Sequence, residues 1–432
     1  MNRRLAGEIV GCLRTPAPQN LHFERWKARR DWEHTLEWLD HSGLALLFWD
    51  RLVSLGQEDA IPHEIGERLE RNLASHRLRV AAMVEEFDSI NWCLEKAGVK
   101  YVALKGFALI PEYSSDIYLR TTYDYDYLLP QDSVERAEAA LKAGGYLRKE
   151  DPQDHPIVYF HHGCPPRTPL SRDDLYSAAF PRTVELHYLF WDEGLVKIPL
   201  GWAVDPLAQP RLRDLGAIVR PRELPALGRP VRFYALSEED ELIFQVLHAF
   251  RHILQNWCRL CSLLDIAYFL NHRALDTVFW DQFLERLGSS RLLSEIVGVV
   301  FLLAAGVFGA AIPASVSASS NRRLRRSLCL WVDRYGLDSA FCNFSENKFS
   351  LFLHREFIQD EADWREILRI RLFPMQRPNQ GFQSSTPTFS SRFAASWRRG
   401  IHVAQRMLYH LMAAIRYGLE SPRWNRARSR SR

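Results

Sequence analysis

The sequence predicts an α+β protein in which a small mixed sheet lies between two helical regions. Apolar residues recur at spacings of three and four over residues 24–96 and again from about 237 to 345, which indicates helices. The stretch between them alternates short β-rich runs with a capped helix, an order typical of a sheet with helices packed on it. We therefore expect an N-terminal helical region at 1–96, an α/β core at 97–235, a C-terminal helical domain at 236–377, and a linker with a basic amphipathic helix at 378–432.

The first strands of the core are marked by a change of period and by the residues that end them. Val99–Leu104 is a short β-rich run closed by Lys105 and Gly106. Tyr123–Leu129 is a second such run, and it stops at Pro130. Both segments are therefore predicted strands.

A helix and two further strands are expected downstream. Asp132 and Glu135 have the spacing of a capping box, so a helix should begin there and end at the glycine pair 144–145. The segment from Glu150 to Arg182 holds six prolines and is predicted mainly as loop, with a strand at Ile157–Phe160. Thr183–Tyr188 is the last predicted strand.

The C-terminal helical domain should begin at Ser237, a capping residue followed by three acids that favour the positive end of a helix. Ile296–Ile312 is seventeen residues without a charge, at the short limit for a membrane span. Its glycines, Pro313 at its end and the serines that precede it favour a buried core helix over a span.

Composition places the chain among globular proteins, since 47% of the 432 residues are hydrophobic and 25% are charged. The seven cysteines are an odd number without a repeating pattern, which favours free thiols in a reducing cytoplasm. Glu8 and Arg14 leave no room for the apolar stretch of a signal peptide, so a cytoplasmic location is expected.

Asp124 and Asp126 are the first candidate functional residues. The two aspartates are separated by one residue on a strand, so both carboxylates point to the same face, about 6.5–7 Å apart. Two neighbouring acids on a half-buried strand have a low free-energy cost when cations neutralise them. Mg²⁺ is a suitable cation, because it prefers carboxylate oxygens. The alternative is an exposed strand face on which both aspartates are simply hydrated.

Two neighbouring features favour a phosphate-handling site over hydrated aspartates. Lys105 and Gly106 lie at a strand-to-helix turn, where backbone N–H groups and an ammonium can approach phosphate. Glu185 lies on a separate predicted strand and shares a face with Thr183 and His187. A third carboxylate on a second strand is what two divalent ions need to clamp an attacking oxygen and a leaving pyrophosphate.

The ordered set of motifs resembles the uncharacterised nucleotidyltransferases related to the DNA polymerase β superfamily. The resemblance covers roughly residues 30–275. It is carried by Leu104-Lys105-Gly106, Tyr113, Arg120, Asp124-Tyr125-Asp126, Gly145-Tyr146, Glu185-Leu186-His187, Leu236-Ser237, Glu239-Asp240, His248, His252, Arg259-Leu260 and Leu264-Asp265-Ile266-Ala267.

The resemblance implies a nucleotidyltransferase core and assigns roles position by position. Asp124, Asp126 and Glu185 would be the catalytic residues and the ligands of two Mg²⁺ ions. Lys105 and Gly106 would hold the triphosphate of an NTP. The remaining assigned residue is Arg120, which would contact phosphate or brace the D-x-D strand, unless it is a surface arginine.

Three residues depart from the wider superfamily. Phe107 stands where a small hydroxyl residue usually follows the glycine, so it offers no hydrogen bond to phosphate. Tyr125 and Tyr127 replace the usual aliphatic residues, which indicates a bulkier or more polar second face of the strand. These departures leave a catalytically silent protein of the same fold as an alternative.

Other chemistry-bearing residues have less specific patterns. His248 and His252, one helical turn apart, either ligate a metal or contact substrate, or pack within a helical layer, and packing is the favoured interpretation. Asp265 is expected to meet an arginine such as Arg259. A zinc site at the C-x-x-C of residues 258–261 is disfavoured, because no second Cys or His pair follows at zinc spacing.

The sequence therefore supports three functional hypotheses. The first is a Mg²⁺-dependent nucleotidyltransferase that moves a nucleoside monophosphate from an NTP to an acceptor, which could be a peptide, metabolite, sugar, protein or RNA. The second is a nucleotide-binding or scaffold protein of the same fold without turnover. The third is a helical adaptor recruited to a surface by its basic end.

The basic end is confined to residues 391–432, which hold ten arginines and one acid, a net charge of +9. The whole chain carries +4, so the remainder carries about −5. An apolar stripe at alternating spacings of four and three predicts an amphipathic helix. Its members are Trp397, Ile401, Ala404, Leu408, Leu411 and Ile415. We expect the stripe to dock on the protein's own helices and the final arginines to be solvated; a partner helix, an anionic membrane surface or RNA are the alternatives.

Overall fold

Seven strands form one mixed sheet at the centre of the molecule. In chain order they are Val102–Leu104 (β1), Asp124–Leu128 (β2), Tyr146–Arg148 (β3), Ile157–His161 (β4), Thr183–His187 (β5), Arg220–Ala226 (β6) and Arg229–Ala235 (β7). Their order across the sheet is β3-β4-β5-β2-β1-β7-β6. β2 runs parallel to β5 and antiparallel to β1, while β1 runs parallel to β7. β4 lies antiparallel between β3 and β5, and β6 lies antiparallel to β7.

Helices precede, interrupt and follow the sheet. In chain order they are Arg3–Cys12 (α1), Arg29–Ser42 (α2), Ala45–Ser54 (α3), His63–Lys96 (α4), Val134–Ala143 (α5), Glu193–Val196 (α6), Glu238–Leu254 (α7), Leu260–His272 (α8), Thr277–Leu287 (α9), Arg291–Phe308 (α10), Arg326–Trp331 (α11), Leu337–Ala340 (α12), Ser350–Phe357 (α13), Glu361–Leu372 (α14) and Phe389–Ser431 (α15). The predicted α+β class, a mixed sheet flanked by helices at both ends, is confirmed. The domain boundaries stay predictions.

These elements come from a computed structural model of the chain. It describes residues 2–16, 18, 23, 25–26, 28–149, 156–165, 173–200, 220–226, 229–288, 290–317, 324–341, 347–372 and 389–431. Most of the predicted linker lies outside the described residues, as do residues 150–155 and 166–172 of the proline-rich segment.

The two faces of the sheet bury different cores. Alternation along β2 sends Tyr125 and Tyr127 into a core shared with α4 and α5, where Phe87 and Leu141 are buried. Leu128, on the opposite face, belongs to the larger core that contains α7, α8 and α10. The long helix α4 contributes its first turns to the larger core and its later turns to the smaller one. Functional side chains on β2 therefore lie between the sheet and the C-terminal helices.

The C-terminal helices begin where the sequence indicates. The Ser237 hydroxyl accepts a hydrogen bond from the Asp240 N–H at 3.2 Å, as expected for the cap of α7. α10 is the expected core helix in the uncharged stretch. Among the described residues it is the helix long and apolar enough to cross a membrane, but 72% of it is buried inside the protein. Gly309 ends it with φ +74°, and a Cβ there would lie 2.5 Å from the Thr15 carbonyl oxygen.

Some local predictions were wrong. The capping box of Asp132 and Glu135 does not form, because a 3-10 turn at Gln131–Ser133 precedes α5 and the Asp132 carboxylate accepts a hydrogen bond from the Ser133 hydroxyl. β3, β6 and β7 were not predicted. β3 has only three residues, and β6 is an edge strand that contains two prolines, which obscure a strand pattern.

The C-terminal helix does not pack as expected. Leu408, Leu411 and Ile415 of the predicted docking stripe are 61%, 56% and 46% exposed. A different face of α15 packs on α11, α13 and α14, and its Trp424 is 3% exposed. Arg428 forms an ion pair with Glu356 at 2.6 Å, so the final arginines are not all solvated. The expected internal docking of the stripe is therefore wrong for these three residues.

Candidate functional site

The register of the sheet places the predicted acids side by side. Asp126 pairs with Glu185 on the parallel strand β5, and Asp124 pairs with Thr183. Paired residues on neighbouring strands point to the same face, so Asp124, Asp126 and Glu185 share it, as predicted. His187 follows two residues after Glu185 and is on this face too.

Hydrogen bonds on the opposite face fix the D-x-D strand. The Tyr125 hydroxyl donates to the Met83 carbonyl and the Glu86 carboxylate, and the Tyr127 hydroxyl donates to Asn91 at 2.9 Å. All three partners lie on α4. The two tyrosines that depart from the superfamily pattern thus anchor β2 to α4, which explains the polar second face.

Asp126 is the centre of the charged group. It is 3% exposed. Its Oδ1 lies 2.6 Å from the Lys105 Nζ and 2.9 Å from the His187 Nε2. The same His187 nitrogen is 3.7 Å from Glu185 Oε2. Lys105 and His187 therefore neutralise and hydrogen-bond a carboxylate that burial alone would penalise.

Burial and mutual repulsion separate the pKa values of the three acids. Burial would raise the pKa of Asp126, but the Lys105 ammonium and the His187 hydrogen bond lower it to about 2. For Glu185, burial and the charges of Asp126 and Asp124 raise the pKa to about 8. Burial and Asp126 also raise the pKa of Asp124. One acid is thus held ionised by the lysine, while the other two lack so close a cation.

The turn after β1 is strained at the predicted lysine. Lys105 has φ +53° and ψ −155°, a backbone conformation that costs a residue with a Cβ on the order of 1–3 kcal/mol. Gly106 follows with φ +45° and starts a 3-10 turn. Phe107 is buried and packs its ring edge-on against Phe87, with centroids 5.3 Å apart. The residue that replaces the usual hydroxyl is therefore part of the core under the turn.

Arg120 supports the site through an ion pair with Asp265. Its Nε donates to Asp265 at 2.9 Å, and its side chain is 11% exposed, which excludes a surface arginine. Asp265 therefore meets an arginine, as predicted, but the partner is Arg120 and not the Arg259 named as the example. Arg259 instead donates to Thr121 and lies over the Tyr123 ring at 5.1 Å. Contact between Arg120 and phosphate stays a prediction.

Helix α7 forms the opposite wall of the site. His248 and Arg251 line a crevice together with Lys105 and His187. Arg251 is in the electric field of Asp192, Asp126 and Glu185, yet it makes no ion pair or hydrogen bond through its side chain within the described chain. Burial lowers its pKa. Arg251 is half-buried, and a half-buried cation that lacks a partner in the described chain is stabilised when an anion binds it.

Sequence reasoning did not select Arg251, although it lies between the two singled-out histidines at 248 and 252. The helical periodicity of the sequence predicts that Arg251 lies one turn from Leu247. It does not predict which side chains of the helix contact the sheet. His252 packs as predicted: its Nδ1 is 3.0 Å from the Trp257 carbonyl oxygen, and burial lowers its pKa to about 3. Cys258 and Cys261 are buried free thiols.

The side chains present fit a divalent cation. Within the described chain, Asp126, Glu185 and His187 offer ligand atoms that all lie within 4.8 Å of one another. Asp124 lies outside this compact group but on the same face. The Lys105 ammonium contacts Asp126 where a cation would bind, which shows that the carboxylate recruits positive charge. The crevice holds about 20 Å³, roughly one water molecule, with Lys105 in this place.

A mixed sheet that carries a D-x-D strand beside a third carboxylate defines this chain as a nucleotidyltransferase-like α+β protein. Residues 28–309 match the family described as uncharacterised nucleotidyltransferase, and the chain belongs to that family. No curated protein matches the chain.

One solved structure was compared with the chain. It is the crystal structure of an antigenic nucleotidyltransferase-like protein from Paracoccidioides brasiliensis. The identity is 15%, the likeness covers 56% of this chain and 95% of that one, and the TM-score is 0.27.

Proposed function

We propose that the protein is a Mg²⁺-dependent nucleotidyltransferase that transfers a nucleoside monophosphate from an NTP to an acceptor. One observation carries the proposal: Asp126 and Glu185 are register partners on parallel strands, with Asp124 on the same face and Lys105 against Asp126. This arrangement puts three carboxylates on one face of the sheet, beside a crevice that Lys105 and His187 line. Family membership supports nucleotidyl transfer in general.

The carboxylates have the role of holding metal. Asp124, Asp126 and Glu185 would bind two Mg²⁺ ions, and His187 is a further donor beside them. Bound there, the ions would neutralise phosphate charge and stabilise the attacking and leaving oxygens. The reaction forms a bond between the acceptor nucleophile and the α-phosphorus and breaks the bond to the β-phosphate oxygen. Pyrophosphate leaves with that electron pair, and a carboxylate such as Glu185 or Asp126 would take the acceptor proton.

Lys105 and Arg251 have the role of binding phosphate. Lys105 is paired with Asp126 and fills the crevice, so a triphosphate needs this side chain to move. Once Asp126 holds a metal ion, the ammonium loses its partner and can bind the phosphates beside Gly106. Arg251 lines the same crevice and has no ion-pair partner in the part of the chain that the structure describes, so it is the second phosphate ligand that we propose.

The test is transfer from labelled nucleotide. The full chain is incubated with α-³²P-labelled NTPs, Mg²⁺ and a pool of co-purified proteins and metabolites, and the label on each acceptor is measured against Asp126→Asn. Label that depends on Asp126 supports the proposal, and mass spectrometry of the labelled product identifies the acceptor. If NTP raises the melting temperature equally with Mg²⁺ and with EDTA and no label transfers, the protein binds nucleotide without turnover, and the proposal is wrong.

A further inference from the structure

Helix α15 has two faces that lie on opposite sides of its axis. One face packs on the protein through Ala413, Tyr417 and Trp424, with the Tyr417 and Phe352 rings 4.7 Å apart. At 3.6 residues per turn, the other face is centred about 180° away. It consists of Met407, Leu408, Leu411, Met412, Ile415 and Leu419, and we call it the outer face.

The outer face is apolar and exposed. Its six side chains are between 46% and 71% exposed, and they cover about 140° of the helix circumference. The packed face already holds the helix on the body of the protein, so the outer face is not needed for that attachment. An exposed run of large apolar side chains in a folded protein marks a surface for interaction.

The charges beside the outer face are predominantly positive. Arg416 lies at its edge, and Arg423, Arg426 and Arg430 continue the same side of the helix, all exposed. Glu420, the single acid of the segment, accepts from the Tyr335 hydroxyl on the packed side at 2.9 Å, and its other oxygen lies 3.1 Å from the Arg423 guanidinium. Among the described residues of the helix, the surface thus combines an apolar strip with an excess of cations.

We propose that the outer face binds the surface of a membrane that contains anionic lipids. Such a surface supplies both an apolar layer for the methionines and leucines and negative headgroups for the arginines. RNA would satisfy the arginines and leave the apolar strip in water. A second copy would bring two basic helices together against like-charge repulsion. The binding is peripheral, because the helix keeps its other face on α11, α13 and α14.

Co-sedimentation of the full chain with vesicles tests the proposal. We expect binding to phosphatidylcholine vesicles that contain roughly one-third phosphatidylglycerol, little binding to phosphatidylcholine alone, and weaker binding as salt rises. Replacing Leu408 and Leu411 together by Gln should weaken binding by about tenfold or more. Replacing Arg423 and Arg426 together by Gln should weaken it less and reduce its salt dependence. These side chains are exposed, so the melting temperature should stay unchanged.

The matched control is Leu78→Gln with Leu275→Gln, two leucines that are 69% and 94% exposed elsewhere on the protein. This control should bind vesicles as the wild type does. Failure of the wild type to bind anionic vesicles would overturn the proposal, as would equal binding by the Leu408 and Leu411 variant. A wild-type dimer in size-exclusion chromatography that this variant converts to monomer would instead make the outer face a protein interface. None of these outcomes depends on nucleotidyl transfer.

Discussion

The two faces of strand β2 differ in how their polar groups are satisfied. On the α4 side, Tyr125 and Tyr127 donate to fixed partners within an apolar core. On the α7 side, Asp126 depends on the ammonium of Lys105, and Arg251 has no partner within the described chain. On the α4 side the polar groups have partners within the fold, so that face stabilises the structure. On the α7 side charged groups of both signs depend on few partners, which is typical of a surface that binds a ligand. The predictions below test this division.

Asp126→Asn should have the largest effect on function. It removes a metal ligand, so transfer should fall on the order of a thousandfold or more. The neutral amide also removes the carboxylate that pairs with the buried Lys105 ammonium, so the free energy of unfolding should fall by on the order of a few kcal/mol. Activity is measured with labelled NTP and stability by urea unfolding.

A double variant separates the two effects of Asp126→Asn. Adding Lys105→Met removes the uncompensated ammonium, so Asp126→Asn with Lys105→Met should recover stability and stay inactive. Recovery of activity along with stability would show that Asp126 holds Lys105 and does no chemistry.

Tyr127→Phe probes the other face of the same strand. It deletes one hydroxyl and leaves Asn91 without its donor, so stability should fall by about 1–2 kcal/mol while kcat changes less than about threefold. Urea unfolding and steady-state kinetics measure the two quantities. A loss of activity as large as that of Asp126→Asn would remove the distinction between the faces.

Lys105→Met should separate nucleotide from metal. Without the ammonium, NTP affinity should fall by roughly tenfold to a hundredfold, because a point charge at the phosphates is lost. Mn²⁺ affinity in the absence of nucleotide should stay equal or rise, because Lys105 no longer competes for Asp126. Calorimetry with NTP and electron paramagnetic resonance of Mn²⁺ measure these affinities. Weaker Mn²⁺ binding would contradict the view that Lys105 stands in for a cation.

Arg251→Gln should have a smaller effect, confined to phosphate. The affinity for a nucleoside triphosphate should fall about tenfold, and the affinity for the monophosphate should change little. Arg251→Lys should recover part of the loss, since the charge returns without the planar fork. An equal loss for both nucleotides would place Arg251 at the base or sugar, and no loss for either would leave it outside the nucleotide site.

Local periodicity was enough to predict the acids but not their partners. The period of two put Asp124 and Asp126 on one face of β2, and Glu185 with Thr183 and His187 on one face of β5; the register of the two strands in the structure joins these faces. The Arg120–Asp265 pair joins residues 145 positions apart. Only the docking of α8 on the sheet turn determines that Asp265 pairs with Arg120 and not with Arg259. The position of Arg251 depends in the same way on how α7 packs.

The C-terminal helix is a second case in which the sequence pattern did not show which residues would be in contact. Its heptad-like stripe was visible in the sequence, and so was a second, less apolar row at Ala413, Tyr417 and Trp424. Hydrophobicity favoured the first row for packing, but aromatic contacts with Phe352 and Tyr335 and the Arg428–Glu356 ion pair select the second. Periodicity identifies a face, and only the complementary surface decides which face is buried.

The smallest predicted effect concerns a buried group remote from the site. His354 on α13 is 3% exposed, its Nε2 lies 2.7 Å from the Val196 carbonyl oxygen, and burial lowers its pKa to about 4, with Arg371 adding in the same direction. The unfolded chain, with a pKa near 6.5, binds the proton more readily, so acid favours unfolding. Stability from this residue is complete above pH 6.5 and is lost as the pH falls toward 4, by about 2 kcal/mol between pH 7 and pH 5.

Comparison with His354→Gln isolates this contribution from the other titrating groups. The glutamine can keep a donor near Val196 but cannot titrate, so the variant should lose less stability than the wild type between pH 7 and pH 5. Urea unfolding at the two pH values measures the difference. Parallel losses would show that His354 is protonated equally in the folded and the unfolded state.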